Sequence, residues 1–348
     1  MTDSHKLPKF SIIIPVRNEA ATIERCVHAI LNNAYPRERM EIIIADGGST
    51  DGTRAILQKL VEGDERVKVI DNPARITPVG VNLGIRQSTG DLIVFMSGHA
   101  AMSSNFMPEL ARVISEHPDV WRAGGVMETV SDTHMGRVIA AAQSSPVGVG
   151  PGNWRVGVRE EGYVHQVCFA AVPRFVFDRV GLYDEELVRN QDDEFNQRVR
   201  EAGGKHYVNP SVRVQYFARG SLRHLFRQYY QYGFWRIRTL QKRGRPAHLR
   251  QVIPVFFVLG WFLLAIGGLL WSPMWLALAA YAALYGSGLV ANVLWVWRRH
   301  PLSVALLTPL ACAAMHFSYG FGVLHGAWSF GVLKGRFVTR PESHKLSR

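Results

Sequence analysis

The chain has 348 residues, 47% of them hydrophobic and 20% charged, which excludes a disordered tail and a small disulfide-stapled scaffold. Its net charge of +12 is unevenly spread: residues 1–201 hold 27 of the 28 acidic side chains and 22 of the 40 basic ones, and no Asp or Glu occurs between Glu201 and Glu342. The three cysteines, Cys26, Cys168 and Cys312, are too few and too scattered for a zinc site or a disulfide framework, and read as buried small hydrophobes.

Phe10–Val16 (FSIIIPV) is a β-branched run expected of a strand covered on both faces. Glu19–Asn32 sets Ile23, Cys26, Val27, Ile30 and Leu31 at helical spacing. Glu41–Ala45 reads as a second strand, ending in the turn-rich Asp46–Gly52. A helix is expected over 53–61, a third strand over Val67–Asp71, a helix over Thr77–Gln87 and a fourth strand over Asp91–Met96. This alternation predicts an α/β fold built on a parallel, Rossmann-like sheet with its ligand at the carboxyl ends of the strands. Those ends are Pro15–Glu19, Asp46–Asp51 and Ser97–His99. Beyond residue 120 the pattern loosens. Ser144–Gly152 reads as a flexible loop, 173–181 and 191–202 as helices, and Tyr207–Val214 as a strand.

Ser221–Leu240 gathers Leu222, Leu225, Phe226, Tyr229, Gly233, Ile237 and Leu240 on one helical face, with Arg223, Arg227 and Arg238 off it. Two readings are open, a basic amphipathic helix in a lipid headgroup layer or a helix facing a protein core; the lack of acids favours the first. Val252–Trp271 and Met274–Trp297 are uncharged over 20 and 24 residues. At about 1.5 Å per residue each can cross a hydrocarbon layer of about 30 Å. Pro301–Leu333 adds a third uncharged run, of 33 residues. Arg243, Arg245 and Arg250 precede the first span and Arg298 and Arg299 follow the second, while the Ser272-Pro273 connector has no cation. Residues 1–250 and the Arg298-Arg299 turn are therefore expected in the cytoplasm. The third run is expected to break near Tyr319-Gly320 into a re-entrant hairpin that returns the basic tail, with Lys334, Arg336 and Arg340, to that side. The N-terminus is short and polar, unlike a secretory signal. Because the basic residues bracket apolar runs, nucleic acid is not an expected partner.

FSIIIPVRNEAATIERC, IIIADGGSTDGT and Asn82-Leu83-Gly84-Ile85 before Gly90-Asp91 resemble family 2 inverting glycosyltransferases of the GT-A fold. QSSPVGVG at 143–150, LVRNQDDEFNQRVREAGG at 187–204, QYYQYGFWRIRTL at 228–240 and HFSYGFGVLHG at 316–326 are similar to the succinoglycan-biosynthesis type of membrane-attached glucosyltransferase. The resemblance spans residues ~10–333. It implies a GT-A domain over 1–220, an interfacial helix over 221–250, a transmembrane region over 251–333 and a basic tail over 334–348. It further implies a nucleotide-sugar donor, UDP-glucose first, and inverting transfer to a polyprenyl-linked glycan at the cytoplasmic face of the cell membrane. Transfer to polyprenyl phosphate itself, and an inactive donor-binding subunit, are the alternatives.

By the same resemblance, Asp46 accepts a ring N–H of the base, Glu19 lies near the ribose, and the backbone of Pro15, Val16 and Arg17 floors the pocket. Asp46 and Asp51 could instead simply close a turn. Asp192 matches the Asp of the family's Glu-Asp pair, the general base; Gln191 replaces the Glu. The crowding of Asp193 and Glu194 would raise one carboxyl pKa; the other reading of the three acids is a solvated first turn that complements a helix dipole. Ser97-Gly98-His99 stands where the family has its metal-binding Asp-x-Asp. His99 can ligate Mn²⁺, whereas Mg²⁺ prefers oxygen. Without a metal, Arg17, Arg155 or Arg159 would neutralise the departing diphosphate, and His99 would be a buried polar residue. Gln228, Trp235, Arg236 and Arg238 are expected to border the acceptor and its lipid phosphate.

Overall fold

The computed structural model describes residues 7–150, 158, 160–218, 220–244 and 251–332. In chain order the elements are β1 (Phe10–Val16), α1 (Ile23–Leu31), β2 (Met40–Asp46), α2 (Thr53–Gly63), β3 (Val67–Asp71), α3 (Thr77–Gln87), β4 (Leu92–Phe95), β5 (Ala100–Met102), α4 (Phe106–Glu116) and β6 (Val120–Val130). There follow α5 (His134–Gln143), α6 (Pro146–Val149), β7 (Gly162–Val164), β8 (Cys168–Pro173), α7 (Arg174–Val180), α8 (Gln191–Glu201) and β9 (Lys205–Phe217). The last five are α9 (Leu222–Arg243), α10 (Ile253–Leu270), α11 (Met274–Trp297), α12 (Leu302–Ala305) and α13 (Thr308–Ala327). The described residues form two units, 7–128 with 158–217 and 129–150 with 218–332.

The first unit is a nine-stranded mixed sheet in the order β3-β2-β1-β4-β8-β6-β9-β5, with β7 also on β9. The β3, β2, β1 and β4 pairings are parallel, as the βαβ alternation requires. The β4–β8, β8–β6, β5–β9 and β7–β9 pairings are antiparallel. Ile12, Ile14, Ile42 and Ile44 are fully buried against Ile23, Val27 and Ile30 of α1, while Ile13 packs on the opposite face with Val81 and Ile85 of α3. This two-sided cover explains why β1 and β2 are continuously apolar rather than alternating. Cys26 is buried as expected, but Cys168 is only half-buried, a correction to the sequence reading. It stands opposite Gly125 of β6, which has no side chain to cover it.

Glu41 is the exception in β2. At 4% exposure its carboxylate accepts the Ser11 hydroxyl at 2.6 Å and the Thr89 N–H and hydroxyl at 2.6 and 3.0 Å. Burial alone would raise its pKa, but these hydrogen bonds and the Lys9 charge outweigh it and hold the carboxyl below its ordinary range. A depressed folded-state pKa means the contribution is full above the unfolded value, about 4.3–4.5, and fades as pH falls below it. Glu41→Gln should destabilise by about 1–3 kcal/mol at pH 7. The gap to the parent in thermal midpoint should narrow as pH drops through 4.

The second unit is helical. Of the Ser144–Gly152 stretch, expected to be a flexible loop, residues 151 and 152 lie outside the described residues, and 146–149 form the helical turn α6. Ser145 caps it by accepting the Gly148 N–H at 3.1 Å. His316 on α13 donates to the Val147 carbonyl at 3.0 Å, with Tyr285 on α11 3.0 Å from its other nitrogen. The expected break at Tyr319-Gly320 does not occur either: α13 runs unbroken through both residues. Gly320 serves close packing, since a β-carbon there would overlap Val258 and the Pro254 carbonyl of α10. Gly322 and Gly326 meet the Tyr230 and Phe234 carbonyls of α9 in the same way, and Gly233 of α9 meets the Tyr319 carbonyl. α9 thus lies backbone-to-backbone on α13, its buried face being Leu225, Gln231, Phe234, Trp235 and Thr239. Three helical segments, Ile253–Leu270, Met274–Trp297 and Leu302–Gly331, are long and apolar enough to cross a membrane.

Candidate active site

The carboxyl ends of β1 and β2 and the segment after β4 bring together the residues that the sequence assigned to the donor. Asp46 ends β2 at 1% exposure. It accepts the Ser49 hydroxyl at 2.5 Å and the Arg54 Nε–H at 2.7 Å, and Arg54 also donates to Asp71 at 2.7 Å. Both Asp46 oxygens are therefore engaged within the turn. Asp51 closes the same turn: its carboxylate accepts from Thr53 and from the Ala20 N–H. Pro15 and Val16 are the last residues of β1, and Gly47 donates its N–H to the Val16 carbonyl at 2.8 Å. Arg17 has a buried Nε–H without an acceptor.

His99 is the centre of a second cluster. Its Nδ1 lies 3.0 Å from Glu19 Oε1. Its Nε2 lies 3.0 Å from the Tyr216 hydroxyl and 3.4 Å from that of Ser97. A carboxylate can only accept, so Nδ1 carries a proton toward Glu19. Gly98 packs against Val16 and Glu19. Glu19, expected at a ribose, is in this structure the residue that orients His99.

Gln191 and Asp192 open α8. Asn190 precedes them in the left-handed region, φ 62°. The three acids of this first turn have separate partners. Arg198 donates to Glu194 at 2.8 Å through Nε and 2.9 Å through Nη2, and Gln166 donates to Asp193 at 2.5 Å. Asp192 is exposed and accepts the Asp193 N–H at 2.9 Å. Beneath the turn Tyr183 stacks on Phe195 at 4.5 Å, and burial pushes its pKa up while it feels the charges of Arg122 and Asp192. Arg122 is 4% exposed, with Nε and Nη1 lacking acceptors. Burial and the Arg122 charge push the pKa of neighbouring His206 down to about 2, so that ring is neutral.

Gln228, Trp235, Arg236 and Arg238 lie on α9 in the helical unit. Gln228 donates to the Tyr232 hydroxyl at 2.9 Å, Arg236 to that of Tyr319 at 3.3 Å, and Arg238 to Gln241 at 3.1 Å. Trp235 is buried, its indole N–H without an acceptor. Arg155 and Arg159 lie outside the described residues. Sequence reasoning missed Tyr216, Arg122 and Arg75. Arg75 is exposed, has φ 60°, and lies beside Gly48. The Pro-Ala-Arg stretch after β3 was the available signal for it; Tyr216 and Arg122, on antiparallel strands, had none.

Residues 11–164 match glycosyl transferase family 2. Over 321 residues the chain is 30% identical to the succinoglycan biosynthesis protein ExoA of Rhizobium meliloti (strain 1021), covering 89% of this chain and 92% of that one. The chain belongs to glycosyl transferase family 2. This glycosyltransferase is also 28% identical to the dolichyl N-acetyl-alpha-D-glucosaminyl phosphate 3-beta-D-2,3-diacetamido-2,3-dideoxy-beta-D-glucuronosyltransferase of Methanococcus voltae, over 64% of this chain and 71% of that one. Its fold is that of the mannosyltransferase PcManGT from Pyrobaculum calidifontis, solved with GDP-Man and Mn²⁺, at TM-score 0.53 and 17% identity, covering 94% and 89% of the two chains. The sheet is thus a GT-A sheet, and the protein is an enzyme.

Among the described residues no group of three His, Cys, Asp or Glu side chains could hold a metal ion. What the glycosyltransferase offers is one imidazole nitrogen, His99 Nε2, with a carboxylate behind its other nitrogen, the arrangement that orients metal-binding histidines. This fits a divalent ion carried largely by the oxygens of a diphosphate.

Proposed function

We propose that the enzyme moves a hexose, glucose from UDP-glucose first, onto a polyprenyl-linked glycan with inversion at the anomeric carbon, working at the cytoplasmic face of the cell membrane. The domain limits 1–220, 221–250, 251–333 and 334–348 belong to this reading. A relative named for a dolichyl-phosphate-linked sugar supports the lipid-linked acceptor, and one named for succinoglycan biosynthesis supports a role in making a polysaccharide. The observation that carries the mechanism is the sorting of the acid-rich turn: Arg198 holds Glu194, Gln166 holds Asp193, and Asp192 remains exposed.

Asp192 takes the proton of the acceptor hydroxyl as its oxygen attacks the anomeric carbon opposite the departing diphosphate. Tyr183, steadied by Arg122, supports that carboxylate from behind. The base and ribose lie along Pro15, Val16, Arg17, Glu19 and Asp46, with Arg54 swinging partly off Asp46 to admit a ring N–H. Ser97, Gly98, His99 and the unpartnered Nε–H of Arg17 face the diphosphate. Mn²⁺ or Mg²⁺, held by His99, would supply positive charge to that leaving group. Gln191 borders the acceptor, with Gln228, Trp235, Arg236 and Arg238 along its lipid phosphate.

A panel of UDP- and GDP-sugars, each offered with a lipid-linked oligosaccharide and with polyprenyl phosphate, tests this reading. Transfer from UDP-glucose to the oligosaccharide, with the opposite anomeric configuration in the product, is the expected result. EDTA should reduce turnover at least tenfold, and a nitrogen donor predicts better restoration by Mn²⁺ than by Mg²⁺. His99→Ala should weaken UDP binding in the presence of Mn²⁺ but not in EDTA. Full activity after exhaustive chelation would remove the metal, and a retained configuration would remove the single displacement.

A further inference from the structure

By length and composition Leu302–Gly331 is a third candidate span, yet its contacts tell against a crossing. α13 begins beside the basic end of α11, where Asn292 donates to Thr308 at 3.1 Å. Twelve residues on, at about 18 Å of helix, Gly320 rests on Pro254 and Val258, in the first turns of α10. That too is the basic end of the α10–α11 hairpin, since Arg298 and Arg299 follow α11 and Arg243 precedes α10. α13 therefore passes across one end of the hairpin. Its deepest described contacts are Phe317 on Trp261, at 6.1 Å between ring centroids, and Phe321 on Phe262, at 6.3 Å. Beyond them the far half of the hairpin is open, with Leu263 65%, Leu269 77%, Leu270 85% and Leu276 75% exposed. A helix running the length of the hairpin would cover one side of these residues.

α9 gives an independent argument. Its contacts advance in step with those of α13: Tyr230 meets Gly322, Phe234 meets Gly326, and Gln241 donates to the Phe330 carbonyl at 3.2 Å. The helices are parallel and in backbone contact, so α9 must go wherever α13 goes. α9 carries Arg223, Arg227, Arg236, Arg238, Lys242 and Arg243 and no acid. These contacts set the last four cations level with the far end of Leu302–Gly331, so a crossing by α13 would carry them to the far side, against the bias of Lys and Arg toward the cytoplasm. Lying in the interface avoids this, and it sets the exposed Arg223 and Arg227 among anionic headgroups and Phe226, 40% exposed, at the acyl boundary.

We propose that α9 and α13 form a helix pair lying in the anionic headgroup layer, so that the chain crosses the bilayer twice, through α10 and α11, and the segments before α9 and after α13 share one aqueous side. This rests on the membrane reading above and corrects the count of spans that length alone suggests. The full chain with green fluorescent protein at its C-terminus should fluoresce in bacterial cells, and with alkaline phosphatase there it should be inactive. In the same cells Ser272→Cys should react with a membrane-impermeant maleimide added from outside. An active phosphatase fusion with a dark fluorescent one would overturn the proposal and make α13 a span. Release of the protein by alkaline carbonate would instead defeat the membrane reading itself. A third measurement reads the interface directly. Fluorescence of a label at Ala314→Cys, near the middle of Leu302–Gly331, should be quenched by headgroup-region quenchers and spared by bilayer-centre ones; the reverse quenching order contradicts an interfacial α13.

Discussion

Asp192→Asn is expected to lower turnover by about 10²–10⁴-fold while leaving the affinity for UDP or the sugar nucleotide within about twofold. The substitution keeps size and hydrogen-bonding capacity but cannot accept the acceptor proton. Donor affinity should hold because the groups assigned to the nucleotide lie at the ends of β1 and β2 and after β4, on other elements than α8. Asp193→Asn and Glu194→Gln are the informative controls. Asp193 is occupied by Gln166 and Glu194 by Arg198, so their loss should act through the folding of α8 and be visible as a lower thermal midpoint. Steady-state turnover at saturating donor, with calorimetric UDP binding on the same preparations, separates these effects. A D192N enzyme with undiminished turnover would take the proton-transfer role away from position 192.

The second large effect is expected at Gly322. A side chain there meets the Tyr230 carbonyl, a backbone atom that cannot turn aside. Gly322→Leu should therefore push α9 off α13 and cost at least the ~1–3 kcal/mol of an overpacked core. Loss of monodisperse protein in detergent, or a thermal midpoint far below the parent, is the measurement. Gly286→Leu, on the apolar α11 where a β-carbon would meet nothing within 4 Å, should be near neutral. Equal behaviour of the two variants would mean that the glycines of α13 do not hold the helix pair together.

The parallel half of the sheet was legible because its signals are local. β1, β3 and α3 have the limits that their apolar runs and punctuation predict, and α8 differs by one residue from the expected helix. β6 was not legible. It contains Gly124-Gly125, poor strand formers, which are there because Val167 and Cys168 on one side and Val212 on the other leave no room for a side chain. That constraint comes from residues more than forty positions away. α5 and α6 escaped for a similar reason, since Val138, Ile139 and Ala142 find their cover in Val304, Ala311 and Met315. Of the site, the residue types at 19, 46, 99 and 192 could be read from motifs, but the pairing of Glu19 with His99 and the partition of the acids on α8 depend on side-chain geometry that spacing does not encode.

Asn190 never needs to touch a sugar, yet it governs how the opening of α8 is presented. Asn is among the few side chains at ease with a φ of 62°. A valine or isoleucine there would swing the chain back to the extended region and aim the following carboxylates elsewhere. The direction in which the opening of α8 presents its acids is thus set by a torsion fixed when the protein folds.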